Sequence, residues 1–294
     1  MQITRMSECS LNTALEVWNM GFKGYFVNVT MTLTQFVKRV ANDGLSPEHS
    51  LIAWVDGKPI GCIFTGVRDI SGKRIAWNGG TAVVPEHRGQ GVGQRMMQAC
   101  LDVYRELDVD VAYLEALVQN APAIRLYQQS GYKIVNTVAL LVRNGPLSAR
   151  AFEGETGSWR TVKSGLPHEV MSLPFYQPFS TWQTQWQSLA GGESLILYDN
   201  EATPIAYALY KRTPDESGIT KSIVLYQCET IPSLQNKTSA LRRLLHDVYV
   251  QHELDCMRMA VNIPVSNREV IGILEGEGFT ISEQQVSMMR QMKR

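Results

Sequence analysis

The sequence lacks the features that would mark a nucleic-acid-binding, zinc-binding or membrane protein. Lysine plus arginine and aspartate plus glutamate both number 28, so no basic field is available to hold a polyanion. The five cysteines contain no CxxC pair, and we interpret them as reduced, mostly buried thiols. Nowhere do about 18 apolar residues follow one another, and Met1–Leu11 has no signal-peptide pattern. We therefore expect a cytoplasmic protein without a metal, nucleic-acid or membrane partner.

What is present is the composition of a globular protein that is long enough for two domains. Of the 294 residues, 44% are hydrophobic and 19% are charged. The two halves also share short segments in the same order, which predicts two copies of one fold. The matching segments are Ser50–Ile52 with Ser194–Ile196, Pro59–Ile60 with Pro204–Ile205, Asp102–Tyr104 with Asp247–Tyr249, and Asn120–Ile134 with Asn267–Ile281.

The two copies are expected to meet where turn-forming residues follow an apolar run. Val138–Val142 is such a run, and Arg143–Pro146 supplies the turn formers. The predicted domains are therefore 1–145 and 146–294, each of typical domain size.

The first copy has the pattern of a mixed α/β sheet. Asp56-Gly57 between two apolar runs is a strong hairpin signal. A glycine-rich loop leads into a segment with helical spacing, and a second helix is predicted from about Pro122 to Gly131. The predicted strands are Leu51–Val55, Ile60–Thr65, Trp77–Val84 and Val111–Val118.

The loop Arg88–Gly93 reads Arg-Gly-Gln-Gly-Val-Gly between a strand and a helix. Such a loop leaves backbone N–H groups uncovered at the positive end of the helix dipole, which suits a phosphate or pyrophosphate. The glycines could also serve only a tight turn. A P-loop would continue with Lys and then Ser or Thr, whereas Gln94-Arg95 follow here. A dinucleotide fingerprint fits no better, because it belongs near the first strand of its domain.

Together, these motifs resemble the GCN5-related N-acetyltransferase (GNAT) family. The resemblance is strong over Thr81–Tyr132 and weaker over the rest of the first half. It implies an α/β fold of two tandem GNAT-like mixed-sheet domains, with acetyl-CoA as the cofactor. The residues that carry it are Val83-Val84-Pro85, Arg88–Gly93, Asn120–Ala123 and Leu126-Tyr127, ending at Gly131-Tyr132.

The resemblance also implies a set of cofactor contacts. The glycine loop and its helix would hold the pyrophosphate of coenzyme A, and the preceding strand would pair with the pantetheine arm. Asn120 would steady that arm from the other side, although it could equally be only a helix N-cap. The implied contact residues are Ala82, Val83, Val84, Arg88, Gly89, Gln90, Gly91, Val92, Gly93, Asn120, Ala123 and Tyr127.

Two side chains are candidates for the chemistry of acyl transfer. An amine must lose its proton to attack a thioester, and the departing thiolate benefits from gaining one. The resemblance places Tyr127 beside the sulfur as a general acid, although its ring could also be a core residue. Glu115 is the one carboxylate of its strand, and its spacing to Tyr127 resembles that of bacterial N-acetyltransferases that act on ribosomal protein N-termini. Glu115 is therefore the candidate base, or a water relays the proton. The N–H of Val83 is the expected oxyanion donor.

The acceptor and the second copy are less well defined by the sequence. Gly21–Val40, with aromatics at Phe22, Tyr25 and Phe26, is expected to wall the acceptor pocket or to belong to the core. In the second copy Ser233–Thr238 replaces the glycine loop, Leu274 replaces Tyr127 and Asn262 replaces Glu115. The second domain is thus predicted to be degenerate.

The leading hypothesis is an acetyl-CoA-dependent N-acetyltransferase that acts on a primary amine by direct attack in a ternary complex. The amine could belong to a small molecule or a peptide. The alternative is a non-catalytic acyl-CoA-binding regulatory protein.

Overall fold

Twelve strands and six α-helices make up the part of the chain that the computed structural model describes, residues 1–154 and 161–293. They divide into two units. Unit 1 contains Met1–Val135 and the C-terminal segment from Val286, and unit 2 contains Asn136–Gln285.

The sheet of unit 1 has the order β1-β2-β3-β4-β5, followed by the last part of β12. Only β4 and β5 run parallel among its first five strands. Its strands are β1 (Gln2–Arg5), β2 (Leu51–Val55), β3 (Lys58–Ile70), β4 (Lys73–Val83) and β5 (Val111–Leu117). Its helices are α1 (Leu11–Gly21), α2 (Leu33–Asp43), α3 (Val92–Glu106) and α4 (Ala121–Gln129).

Local sequence accounts for the ends of these elements. Asp56 and Gly57 both have positive φ between β2 and β3, as a tight hairpin turn requires. Thr32 and Gln35 form a capping box at the start of α2. Gly131 follows α4 with φ +83°, so the predicted hairpin and the predicted end of α4 are confirmed.

Each face of the unit 1 sheet is covered by one pair of helices. Apolar side chains of α3 and α4 form one core cluster with alternate residues of β5. On the opposite face, Trp18 of α1 stacks on Phe64 of β3 with ring centroids 5.3 Å apart. Phe36 of α2 lies 5.4 Å from the same ring.

The sheet of unit 2 has the order β6-β11-β10-β9-β8-β7, preceded by the first part of β12. Its β10–β11 pair is parallel, as is β4–β5 in unit 1. Its strands are β6 (Lys133–Arg143), β7 (Thr161–Gly165), β8 (Glu193–Tyr198), β9 (Pro204–Pro214), β10 (Thr220–Thr230), β11 (Met257–Pro264) and β12 (Thr280–Gln291). Its helices are α5 (Lys237–Val248) and α6 (Arg268–Gly276).

The two copies exchange their last strands. From Asn136 onward, β6 belongs to unit 2, where it pairs with β11. From Val286 onward, β12 belongs to unit 1, next to β5 in the sheet order. The sequence-based division after Gly145 instead assigned each final strand to its own copy.

Candidate active site

The strands β4 and β5 pair over a short length and then stop. Ile75–Asn78 pairs in parallel with Val111–Leu114. The next residue of β4, Gly79, forms a bulge against β3. A Cβ at this position would overlap the Trp77 ring and approach Leu45, so glycine suits the bulge. Beyond the bulge, β4 has one edge without a paired β5 residue.

A partly buried cation fixes this bulge. Arg39 of α2 donates a hydrogen bond to the carbonyl oxygen of Gly79 at 2.6 Å. Its guanidinium lies 4.3 Å above the Trp18 ring and 3.5 Å from the Asp43 carboxylate. Burial lowers the pKa of Arg39, and the neighbouring Asp43 opposes that effect.

The backbone direction of β4 gives Val83 its orientation. The N–H of Val84 donates to the Ile60 carbonyl of β3 at 2.9 Å. Because N–H groups alternate along a strand, the N–H and C=O of Val83 point to the side away from β3. The Val83 carbonyl accepts a hydrogen bond from Nε of Arg88 at 2.9 Å. The Val83 N–H therefore faces the unpaired edge of β4.

The Arg88 side chain ties the segment after α1 to β4. Its Nη2 donates to the carbonyl oxygens of Gly21 at 2.9 Å and Lys23 at 3.2 Å. Gly21 is packed so closely that a Cβ there would lie 2.7 Å from the Ala82 Cβ. The sequence placed Arg88 among the cofactor contacts, and its side chain serves this connection in the structure.

The segment 22–32 is held by α1 and carries three neighbouring aromatic rings. Nε1 of Trp18 donates to the Val29 carbonyl at 2.9 Å. The centroid distances are 4.3 Å from Trp18 to Phe22, 5.1 Å from Phe22 to Tyr25 and 5.4 Å from Tyr25 to Phe26. Trp18 is 2% exposed and Phe26 is 55% exposed, so this aromatic row runs from the core to the surface.

The three glycines of the predicted loop differ in role. Gly89 and Gly91 have φ of +74° and +76°, where other residues are disfavoured. Gly91 is the N-cap of α3, and no side chain caps the first turn. Gly93 has ordinary φ, but a Cβ there would lie 3.2 Å from Cδ2 of Leu126 in α4. Gly93 therefore permits close packing of two helices, while the other two shape the loop.

Asn120 is the N-cap of α4. Its Oδ1 accepts a hydrogen bond from the Ala123 N–H at 3.3 Å, which agrees with the simpler of its two sequence interpretations. Within residues 1–154 and 161–293, its Nδ2 has no hydrogen-bond acceptor. The cofactor contact of Asn120 and that of Ala123 stay predictions.

Tyr127 is a buried residue of α4 whose hydroxyl reaches β4. Its ring packs 6.3 Å from Tyr132. Burial raises the pKa of Tyr127 to about 12, and a hydrogen bond with Thr81 opposes the rise. The neighbouring Tyr25 of the aromatic row adds to it. Tyr127 is thus both a core residue and a protonated hydroxyl beside the unpaired part of β4.

Glu115 is a partly buried carboxyl group of β5. Burial raises its pKa from 4.5 to about 7, and a hydrogen bond from Trp77 opposes the rise. Nε1 of Trp77 donates to Oε2 of Glu115 at 2.8 Å. Both candidate catalytic groups are therefore influenced by β4: Glu115 accepts a hydrogen bond from Trp77, and Thr81 affects the pKa of Tyr127. The sequence analysis did not single out Trp77 or Thr81. Trp77 could not be found from the sequence, because only the β4–β5 register brings it to Glu115 on β5.

Unit 2 repeats the strand geometry of this site. Its β10–β11 pairing ends at Leu225 and Ala260, and Tyr226 forms the corresponding bulge. Asn267 caps α6 as Asn120 caps α4, with a 3.3 Å hydrogen bond from Val270. The local backbone design is therefore common to both copies.

The side chains at the unit 2 position differ. Glu229 lies three residues after the bulge, where unit 1 has Ala82. Nδ2 of Asn267 points to Oε1 of Glu229 at 3.4 Å and to the Cys228 carbonyl at 3.5 Å. The side-chain N–H₂ of Asn267 therefore has acceptors in unit 2, whereas that of Asn120 has none among the described residues. Leu274, the counterpart of Tyr127, is fully buried.

Three further features bear on function: the cysteines, possible metal ligands and possible membrane-spanning helices. All five cysteines are free and four are buried, as predicted. Among the described residues there is no group of three or more His, Cys, Asp or Glu side chains suited to a metal ion. No helix in 1–154 or 161–293 is both long and apolar enough to span a membrane.

Comparison with known proteins agrees with this geometry. The profile of the acetyltransferase (GNAT) family matches residues 17–132, which include β4, the glycine loop and α4. Residues 17–132, most of unit 1, thus have the sequence pattern of the GNAT acetyltransferase family. A curated N-alpha-acetyltransferase of Sulfurisphaera tokodaii is 36% identical over 58 residues. That match covers 19% of this chain and 35% of the relative.

Two solved structures share the fold over nearly the whole chain. A tandem GNAT protein from the clavulanic acid biosynthesis pathway aligns with a TM-score of 0.64 and 11% identity, covering 97% of this chain and 95% of that one. A GCN5-related N-acetyltransferase from Sphaerobacter thermophilus aligns with a TM-score of 0.66 and 13% identity, covering 96% of this chain and 92% of that one. Such identities show the fold alone. The predicted tandem GNAT-like α/β fold is confirmed.

Proposed function

We propose that this GNAT protein transfers the acetyl group of acetyl-CoA to a primary amine, with both substrates bound together at unit 1. The observation that carries the proposal is the unpaired edge of β4 next to the uncapped first turn of α3. The edge offers strand-like hydrogen bonds, and the helix terminus offers backbone N–H groups to a pyrophosphate.

The residues at this position fit coenzyme A. A Cβ at Gly89 would meet nothing within 4 Å, and at Gly91 only the Gln94 side chain, so the outer surface of the loop is open. The amide of Asn120 is available for the pantetheine arm, and the N–H of Val83 is available for the acyl end of the cofactor. Ala82, Val84, Gln90, Val92, Gly93 and Ala123 complete the proposed cofactor contacts. When bound, the thioester supplies an activated acyl group.

Glu115 is suited to take a proton from the amine. A primary ammonium group has a pKa of about 10.4, so a base is needed near neutral pH. A carboxyl group whose pKa is about 7 is substantially ionised at that pH and holds a proton better than an ordinary carboxylate. Trp77 fixes the direction of the carboxylate.

Tyr127 is suited to the acid role. With a pKa of about 12 its hydroxyl stays protonated throughout the physiological range. The N–H of Val83 faces the same edge of β4 and can stabilise negative charge on the acyl oxygen.

Direct attack by the amine is favoured over a cysteine acyl-enzyme. Cys100 is fully buried on α3, and burial raises its pKa to about 11. Cys62 is also fully buried, and burial raises its pKa to about 12. The thiolate is the reactive form, so neither residue is a suitable nucleophile.

The aromatic row of segment 22–32 is the proposed wall of the acceptor site. Its middle member, Tyr25, lies close enough to Tyr127 to affect its pKa. Its outer member, Phe26, offers an exposed ring that the apolar part of an amine could cover.

The test is thiol release from acetyl-CoA in the presence of a library of small amines and peptides with free N-termini. Amine-dependent release accompanied by N-acetylated product supports the proposal. Acetyl-CoA binding without release from any member would instead support the non-catalytic regulatory alternative.

A further inference from the structure

We propose that Arg290, near the C-terminus, is a positioning residue for Tyr127. The proposal rests on the function proposed above, because it assigns Arg290 an effect on the acid of that reaction. Arg290 is in β12, from the second copy of the sequence, yet it belongs to the compact unit that contains Tyr127. The strand exchange therefore gives the C-terminus a role in unit 1.

The contact is made at the end of α4. Nη1 of Arg290 donates a hydrogen bond to the Ser130 carbonyl, one residue past the helix. The next residue, Gly131, has φ +83°, and a Cβ there would overlap the Arg290 guanidinium. The Tyr132 N–H donates to the Tyr127 carbonyl at 3.0 Å. A shift of the Arg290 contact would therefore be transmitted to the backbone of Tyr127.

The strand that carries Arg290 is itself anchored to the start of β5. The N–H of Met292 donates to the Asp110 carbonyl at 2.9 Å. Nζ of Lys293 forms ion pairs with Asp108 at 2.9 Å and Asp110 at 3.0 Å. Because Glu115 is on β5, Arg290 links the helix of the proposed acid to the strand of the proposed base.

Apolar packing fixes the same strand under α4. Met288 is fully buried and Val286 is 8% exposed, and both belong to the core cluster of Tyr127 and Tyr132. The side chain of Arg290 therefore extends from a rigid strand, which is what a positioning contact requires.

Unit 2 contains a related arginine–glycine contact without the tyrosine. Arg143 of β6 approaches Gly278, where a Cβ would lie 3.4 Å from its Nη1. Gly278 has φ +81° and follows α6, which carries Leu274 at the position of Tyr127. Arg143 donates its hydrogen bond to the Pro146 carbonyl at 2.8 Å, so its loss also removes an arginine contact of a final strand without touching the proposed acid.

The experiment compares Arg290→Met, Arg290→Lys and Arg143→Met in the full chain. We expect Arg290→Met to lower kcat about tenfold while KM for acetyl-CoA stays within about twofold, because only the acid is displaced. Arg290→Lys should recover part of kcat. Arg143→Met should also lower the melting temperature but leave kcat unchanged. An unchanged kcat in Arg290→Met, or an equal loss in Arg143→Met, would overturn the proposal.

Hydrogen exchange separates this proposal from the proposed function. Arg290→Met should speed exchange of the Tyr132 amide, which bonds to Tyr127, more than exchange at the β2–β3 hairpin. If the wild-type protein releases no thiol, the proposed function fails on its own account. An unchanged Tyr132 exchange rate in Arg290→Met would refute the positioning role in either case.

Discussion

Replacing Glu115 with glutamine should make the protein slower and more stable at the same time. The substitution removes the ionisable proton acceptor but keeps an oxygen that can accept the Trp77 hydrogen bond. The charge is thus the principal change. Such opposite effects on rate and stability are expected where a buried charge serves chemistry rather than folding.

The magnitude follows from the pKa of the carboxyl group. Burial raises it from 4.5 to about 7, so ionisation of Glu115 costs the folded state up to about 3 kcal/mol. The folded protein binds this proton more tightly than the unfolded chain does. The stabilising contribution of the protonated form is therefore complete below pH 4.5 and is lost as pH rises through about 7.

The difference between Glu115→Gln and wild type should thus depend on pH. At pH 8 the variant should gain on the order of 1 to 3 kcal/mol in free energy of unfolding, and near pH 4 the two proteins should be equal. The acid limb of the wild-type kcat/KM profile should rise through about pH 7, and the variant should lack it. Its kcat should fall roughly a hundredfold.

Unit 2 supplies a matched control in Glu229→Gln. Burial raises the pKa of Glu229 to about 7 as well, and its hydrogen-bond donor is the Asn267 amide. This variant should show the same pH-dependent stabilisation without any loss of rate. Denaturant unfolding at pH 4 and pH 8, with pH-rate profiles, measures both effects. An acid limb retained at the same pH in Glu115→Gln would refute its role as base.

Three further substitutions test other parts of the site. Tyr127→Phe should lower kcat tenfold to a thousandfold with little change in acetyl-CoA affinity, as measured by steady-state kinetics and calorimetry. An unaltered kcat would show that the Tyr127 ring serves packing alone. Gly91→Asp should abolish acetyl-CoA binding. The control Gly72→Asp, at the same φ of +76° in the β3–β4 turn, should leave it intact. Equal affinities of the two variants in calorimetry would contradict the phosphate role of the loop. Phe26→Ala should raise KM for the amine severalfold and leave KM for acetyl-CoA unchanged, and the reverse pattern would remove Phe26 from the acceptor wall.

Features governed by local sequence were predictable. The Asp56-Gly57 turn and the α4 boundaries follow from short-range conformational preferences, and the structure has them where expected. The repeat also predicted matching elements, including equivalent caps at Asn120 and Asn267. The tandem fold could be predicted because both copies keep these signals in the same order.

Features governed by long-range pairing were not predictable. The apolar run of β6 would fit either sheet, so its sequence does not indicate that it joins unit 2. Trp77 meets Glu115 only through the β4–β5 register. Gly93 was grouped with the phosphate loop, yet its close neighbour is Leu126, so a larger residue there would also disturb packing. These contacts depend on which strands and helices become neighbours.

We infer that unit 1 alone provides the coenzyme A site. Calorimetric titration of the intact protein with acetyl-CoA counts the sites. Unit 2 has no glycine in Ser233–Thr238, and its Asn267 amide is already engaged by Glu229. We predict one acetyl-CoA per chain, with binding lost in Gly91→Asp. A stoichiometry near two would show a second working site in unit 2, and undiminished binding in that variant would exclude the glycine loop as the pyrophosphate site.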